Sequence, residues 1–227
     1  MSTSKELRSR DLGQENKNLL SFVTAITLSG VGSQISSVAL PLVAILTLNA
    51  SPFEIGALGM LLYLPVLFIT PFAGVLADKY PPKLINALAD LCRGAAVLAI
   101  PLLALVDALS IPTLYVITFI AGVLKALADV AHHSMLPSII SPVNLDRGNT
   151  AVNSSYSVTE VAGPGLGGIL VQIFGAPLAL LTDAVSFFVS GILILRMKTL
   201  RTHVDRTGSN NWFSLVSLGF RFLFSEP

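Results

Sequence analysis

Asp90, Arg93, Lys125, Asp129 and Glu160 fall inside stretches otherwise dominated by apolar residues. Ionisable side chains are costly away from water, so groups placed in this way are the first candidates for proton or ligand chemistry. Asp90 and Arg93 are three apart and share a helical face, which suits either a local ion pair or a role towards a ligand. Lys125 and Asp129, four apart, carry the same two readings. Glu160 has no basic residue three or four positions away. Burial disfavours the charged form of a carboxylate, which is the property wanted of a proton carrier. The competing reading for Glu160 is a hydrogen bond to a Ser or Thr of the first apolar stretch. His132 and His133 are neighbours, so on a helix they point about 100° apart and do not suit one metal ion. They read as interfacial histidines, and no metal site is expected. The lone Cys92 excludes an intrachain disulfide and reads as packing. The chain contains no His-Glu-x-x-His motif, no Gly-x-Ser-x-Gly elbow and no phosphate-cradling loop, so no enzyme and no cofactor are expected.

The elements that hold these residues follow from composition. The chain is 53% hydrophobic and 12% charged, against about 25% charged in a soluble domain. A net charge of +1 gives no reason to expect a nucleic-acid partner. Apolar runs cover roughly 18–46, 54–76, 84–106, 112–134, 150–173 and 177–196. Each is near the ~20 residues that span a bilayer as a helix. In lipid every backbone group must be bonded within its own segment, so helices are expected. Residues 1–17 are polar for too long to be a signal peptide. Lys5, Arg8, Arg10 and Lys17 precede the first run, Lys79 and Lys83 follow the second, Arg147 the fourth, and Arg196, Lys198, Arg201 and Arg206 the sixth. The turns after the first, third and fifth runs hold no Lys or Arg. This alternation predicts six spans with both termini cytoplasmic.

The turn "GVLADKYPPK" (74–83) resembles the loop signature of the major facilitator superfamily, Gly-x-Leu-x-Asp-Arg-x-Gly-Arg-Arg/Lys, between the second and third helices. Gly74, Leu76, Asp78 and Lys83 fit it, and Lys79 stands in for the first Arg. Pro81 and Pro82 replace the usual Gly and second Arg. "EVAGPGLGGIL" (160–170) resembles the Gly-Pro-x-x-Gly-Gly motif of antiporter members, through Gly163, Pro164, Gly167 and Gly168. Gly163 and Gly167 also form a Gly-x-x-x-Gly pair, which permits close helix contact. The four glycines 163, 165, 167 and 168 are expected to thin one side of the helix, and Pro164 to bend it. "ADLCRG" (89–94), "LPSII" (136–140) and "DAVSFFVSGILIL" (183–195) look like the macrolide-efflux and enterobactin-exporter branch.

The resemblance covers residues 18 to 227. It implies an all-α integral membrane fold in which twelve helices form two six-helix halves, each half made of two inverted three-helix repeats, with alternating access around a mid-membrane site. This chain corresponds to the N-terminal half, so residues 18–196 are expected to form the six-helix domain. Residues 197–227 are expected to form a cytoplasmic linker, with Trp212, Leu215, Val216 and Phe220 on one face of an amphipathic helix. The resemblance implies a gate built from the Asp78 loop and its acidic partner Asp129. The residues themselves give Gln34, Asp90, Arg93 and Lys125 as candidates for a substrate cavity and Glu160 as the proton-coupling candidate. The expected function is proton-coupled export of hydrophobic small molecules or drugs across a bacterial plasma (inner) membrane. The expected partners are substrate, protons, lipid, and a C-terminal half or a second copy of the chain. The alternative is a non-transporting six-helix protein that binds another subunit.

Overall fold

The computed structural model describes residues 2–197, with side chains placed for 13–70, 76 and 80–197. Its helices are α1 (Ser2–Leu46), α2 (Pro52–Lys79), α3 (Pro82–Leu105), α4 (Ile111–Ile139), α5 (Leu145–Phe174) and α6 (Ala176–Arg196), with a single 3₁₀ turn at Pro142–Asn144 before α5. All six are long and apolar enough to cross a membrane, and no strand occurs among the described residues.

Several helices run past the limits set by hydropathy. The first begins well before residue 18, α4 continues to Ile139, and α5 starts at Leu145, which puts Arg147 in its first turn instead of in a loop. Hydropathy marks where lipid-facing residues end. Backbone hydrogen bonding carries the helix further, through polar residues that favour it well enough. Side chains at these extensions hold one another. Glu15 of α1 accepts from Asn144 Nδ2 at 2.7 Å and from Ser141 Oγ at 3.2 Å, which fastens the N-terminal third of α1 to the α4–α5 turn.

The turns have clear local causes. Ser51 caps α2 in a capping box with Glu54, and Ser110 caps α4 by accepting from the Thr113 amide. The α1–α2, α3–α4 and α5–α6 turns each contain one residue of positive φ: Asn49 (52°), Asp107 (54°) and Gly175 (82°). These types tolerate that conformation best, and it reverses the chain in few residues.

Packing follows an internal two-fold pattern. α1 packs on α5 and α6, α4 packs on α2 and α3, and α3 packs on α6. Exchanging α1 with α4, α2 with α5 and α3 with α6 leaves that pattern unchanged, as two inverted three-helix repeats require. At the α3–α6 contact the repeat is visible residue by residue. Around this contact an α3 residue corresponds to the α6 residue 97 positions later, as Ala87 does to Ala184 and Gly94 to Gly191. A Cβ built on Gly94 would lie 3.1 Å from the Ala184 carbonyl oxygen, and one on Gly191 would lie 3.1 Å from that of Ala87.

Two apolar clusters hold the ends of the bundle. One contains Ile35, Val43, Leu58, Ile100, Leu114 and Leu180, near the three positive-φ turns. The other contains Phe22, Ile26, Met135, Ile139 and Ile194, at the opposite end. The buried polar residues Ser29, Asp90, Arg93, Asp183 and Ser190 belong to neither cluster. In their most apolar windows α2 and α5 are only 11% and 17% buried, against 39–44% for the other four helices. These two flank the body and present Leu67 and Phe68, and Val158, Val161 and Ile173, outward.

Candidate functional site

A cavity of about 180 Å³ is lined by side chains from all six helices. α1 supplies Ser29, Gly30, Ser33 and Gln34, and α2 supplies Tyr63. Asp90 and Arg93 come from α3, and Lys125, Asp129 and His132 from α4. α5 adds Tyr156, Thr159 and Glu160, and α6 adds Phe187. A pocket for a drug-sized ligand is usually ~300–1,000 Å³, so this space is smaller than such a site.

Gln34, Asp90, Arg93, Lys125, Asp129 and Glu160 are thus brought together, although they were singled out one by one. Their pairings differ from those expected. Asp90 does not pair with Arg93. It accepts a hydrogen bond from Ser190 Oγ of α6 at 2.6 Å. The guanidinium instead lies over the Phe187 ring, 4.3 Å from its centroid. The reason is tertiary: α6 packs onto the face that Asp90 and Arg93 share, so each meets an α6 side chain before it meets the other. Lys125 and Asp129 do pair, Nζ to Oδ2 at 2.8 Å, while lining the cavity. They combine the two roles read as alternatives.

Glu160 makes no hydrogen bond among the described residues and is exposed on the cavity side of α5. Neither the expected burial nor a bond to a hydroxyl of α1 is found. The α1 hydroxyls of Ser33 and Ser37 turn back to α1 carbonyls, and Gly30 faces Thr159 instead. The four motif glycines, 163, 165, 167 and 168, do not share one side either. Gly163 abuts Gln34, and Gly167 abuts Ile35 and Val38 of α1, whereas Gly165 and Gly168 face open space. Pro164 lies inside α5, which remains one helix through it.

Lys83 Nζ donates to the Met197 carbonyl at 2.6 Å and so ties the α2–α3 turn to the end of α6. Leu76 is half-buried near the end of α2. Gly74, Asp78 and Lys79 have side chains outside the described residues, so the Asp78 side of a gate with Asp129 lies outside them too. The tail with Trp212, Leu215, Val216 and Phe220 is likewise outside. His132 is not interfacial: it lines the cavity, edge-on to Phe22 at 5.9 Å, with Nδ1 3.5 Å from the Tyr156 hydroxyl. The longer α4 puts it two turns inside the helix end. Cys92 points outward from α3 and is not part of the packing.

Asp183 was missed. It is fully buried, bonded to Ser36 Oγ of α1, with its Oδ1 pressed against Gly32 and without a partner. Its signal was available, since it interrupts an apolar run just as Asp90 does.

A model of the Major Facilitator Superfamily matches residues 22–227. The chain belongs to the major facilitator superfamily. It is similar to the uncharacterized MFS-type transporter YfiS of Bacillus subtilis, at 29% identity over 82% of this chain and 43% of that protein. It is also similar to the multidrug efflux pump Tap of Mycolicibacterium fortuitum, at 28% identity over 92% of this chain and 53% of the pump. Tap of Mycobacterium tuberculosis matches at 29% identity over 81% and 43%. The chain spans about half the length of the curated relatives it matches. Members of this superfamily are transporters, and these six apolar helices make the chain a multipass membrane protein with a half-superfamily fold.

Proposed function

We propose that this chain forms one half of a proton-coupled exporter of hydrophobic small molecules in a bacterial cytoplasmic membrane, with both termini cytoplasmic. The observation that carries this reading is the cavity wall, where an unpaired Glu160 shares one concave surface with Arg93, Phe187 and the Lys125–Asp129 pair. The relatives named as multidrug efflux pumps supply the direction and the broad substrate class. Alternating access needs a second six-helix body to rock against. The sparsely buried faces of α2 and α5 are where that body docks. With it in place, Glu160 is enclosed and can exchange its proton for substrate. The test is proton-driven dye movement in liposomes by the chain joined to a second six-helix half. Glu160→Gln keeps the shape but cannot titrate, and should abolish uphill export while leaving downhill movement. Uphill export by this variant with unchanged pH dependence would make the carboxylate structural.

A further inference from the structure

Among the described residues, Arg93 is the charged side chain of the cavity wall that makes no hydrogen bond or ion pair while buried. It is 7% exposed. A guanidinium is always charged and offers five N–H donors in a planar fork. Among the described residues no hydrogen bond or ion pair reaches it, its Nε is buried without a partner, and its stacking contact is the Phe187 face. A buried donor without an acceptor is costly, so each such case calls for an explanation.

The carboxylates whose charges reach Arg93 are Asp183, Asp90 and Asp129. All three are engaged elsewhere, with Ser36, Ser190 and Lys125 respectively. The internal repeat sharpens the contrast. Asp90 corresponds to Phe187, and Arg93 to Ser190. The contact between Asp90 and Ser190 therefore has the contact between Phe187 and Arg93 as its symmetry mate. The first is a satisfied polar pair. The second supplies a ring face and leaves the fork open to the cavity.

We propose that Arg93 is the docking point for a carboxylate of the transported molecule, with Phe187 lying behind it against the guanidinium plane. This rests on the transport reading above and names a substrate class for it: acidic compounds with an apolar or aromatic body. Nearby Asp90 and Asp183 offset part of the positive charge. The site therefore favours a planar group that accepts two N–H bonds over a diffuse anion.

The test is binding to the full chain in lipid nanodiscs, by titration calorimetry, with empty discs subtracted. The matched probes are 1-naphthoate and 1-naphthylmethylammonium, equal in ring and opposite in charge. Naphthoate should bind the native chain, and Arg93→Gln should weaken it by about tenfold or more, as expected for a lost charge-assisted bond. Binding of the ammonium probe should change by less than about twofold, which also reports that the variant is folded. Arg93→Lys keeps the charge but loses the fork, and should weaken naphthoate several-fold. It decides the matter if Arg93→Gln does not accumulate. Naphthoate binding that is absent, or unchanged in Arg93→Lys and Arg93→Gln, overturns the assignment. Ammonium binding without naphthoate binding removes the Arg93 site and leaves the exporter reading standing. Binding of neither probe counts against both.

Discussion

Gly94 and Gly191 occupy equivalent places on either side of an internal two-fold axis, and each lets its own helix reach an alanine carbonyl of the other. A Cβ at Gly94 would be tight against its neighbours, and one at Gly191 would force a shift. Gly94 also meets Phe187 Cβ at 3.2 Å, and Gly191 meets Leu91 Cγ at 2.8 Å. Substitution of either glycine by valine should overpack the α3–α6 contact and cost about 1–3 kcal/mol. The two variants should lower the thermal unfolding midpoint in detergent by similar amounts, because the contacts are symmetry mates. A loss at one site with none at the other would show that the correspondence is confined to the backbone.

The glycines of α5 divide in a second measurable way. Gly163→Val would drive a side chain into Gln34, which leaves no space for even a Cβ at Gly163. It should separate α1 from α5 and destabilise the bundle. Gly168→Ala meets nothing within 4 Å and should leave the six-helix body unchanged, or up to about 1 kcal/mol more stable through helix propensity. Loss of transport in a complete carrier with Gly168→Ala, and unaltered stability of this body, would place Gly168 against the second half.

Ser36 and Asp183 join α1 to α6 through a hydrogen bond with no access to water. Ser36→Ala leaves both carboxylate oxygens without a side-chain partner and should cost about 1–3 kcal/mol. Ser36→Thr keeps the hydroxyl and should recover part of that loss. Equal unfolding midpoints for native chain and Ser36→Ala would mean that the bond contributes nothing net.

Orientation can be read with single cysteines in a Cys92→Ala background. Ser51→Cys and Ala108→Cys should react with an impermeant thiol reagent added to intact cells, and Pro82→Cys should not. Native Cys92 points outward from α3, so it should react with a lipid-soluble maleimide and resist the impermeant reagent. Labelling of Pro82→Cys from outside would reverse the proposed topology.

The six helices were legible because a bilayer demands long apolar runs, and because Pro and Ser or Gly mark nearly every turn. Residues of the cavity were legible as charges in the wrong solvent. Their pairing was not, because pairing is a tertiary fact. Asp90 and Arg93 are adjacent on α3, and nothing local says that Ser190 and Phe187 will come between them. His132 looked interfacial because its helix was drawn too short. The repeat itself was readable in outline: "ALADLCRG" (87–94) and "AVSFFVSG" (184–191) share the alanine that opens each and the glycine that closes it. Only the crossing of α3 and α6 explains why a small residue fits at those two positions.

The bond from Ser190 to Asp90 joins residues one hundred positions apart, and that spacing bears on how the protein is made. α3 leaves the ribosome and enters lipid while α6 has yet to be synthesised. During that interval Asp90 has no hydroxyl from α6, and Arg93 has no ring. Three residues apart on one helical face, they have each other within reach, and together they lower the cost of inserting two opposite charges. The spacing thus suits a short-range pair in the nascent helix, whereas the folded chain holds long-range partners from α6. One stretch of sequence serves membrane insertion first and the finished cavity afterwards.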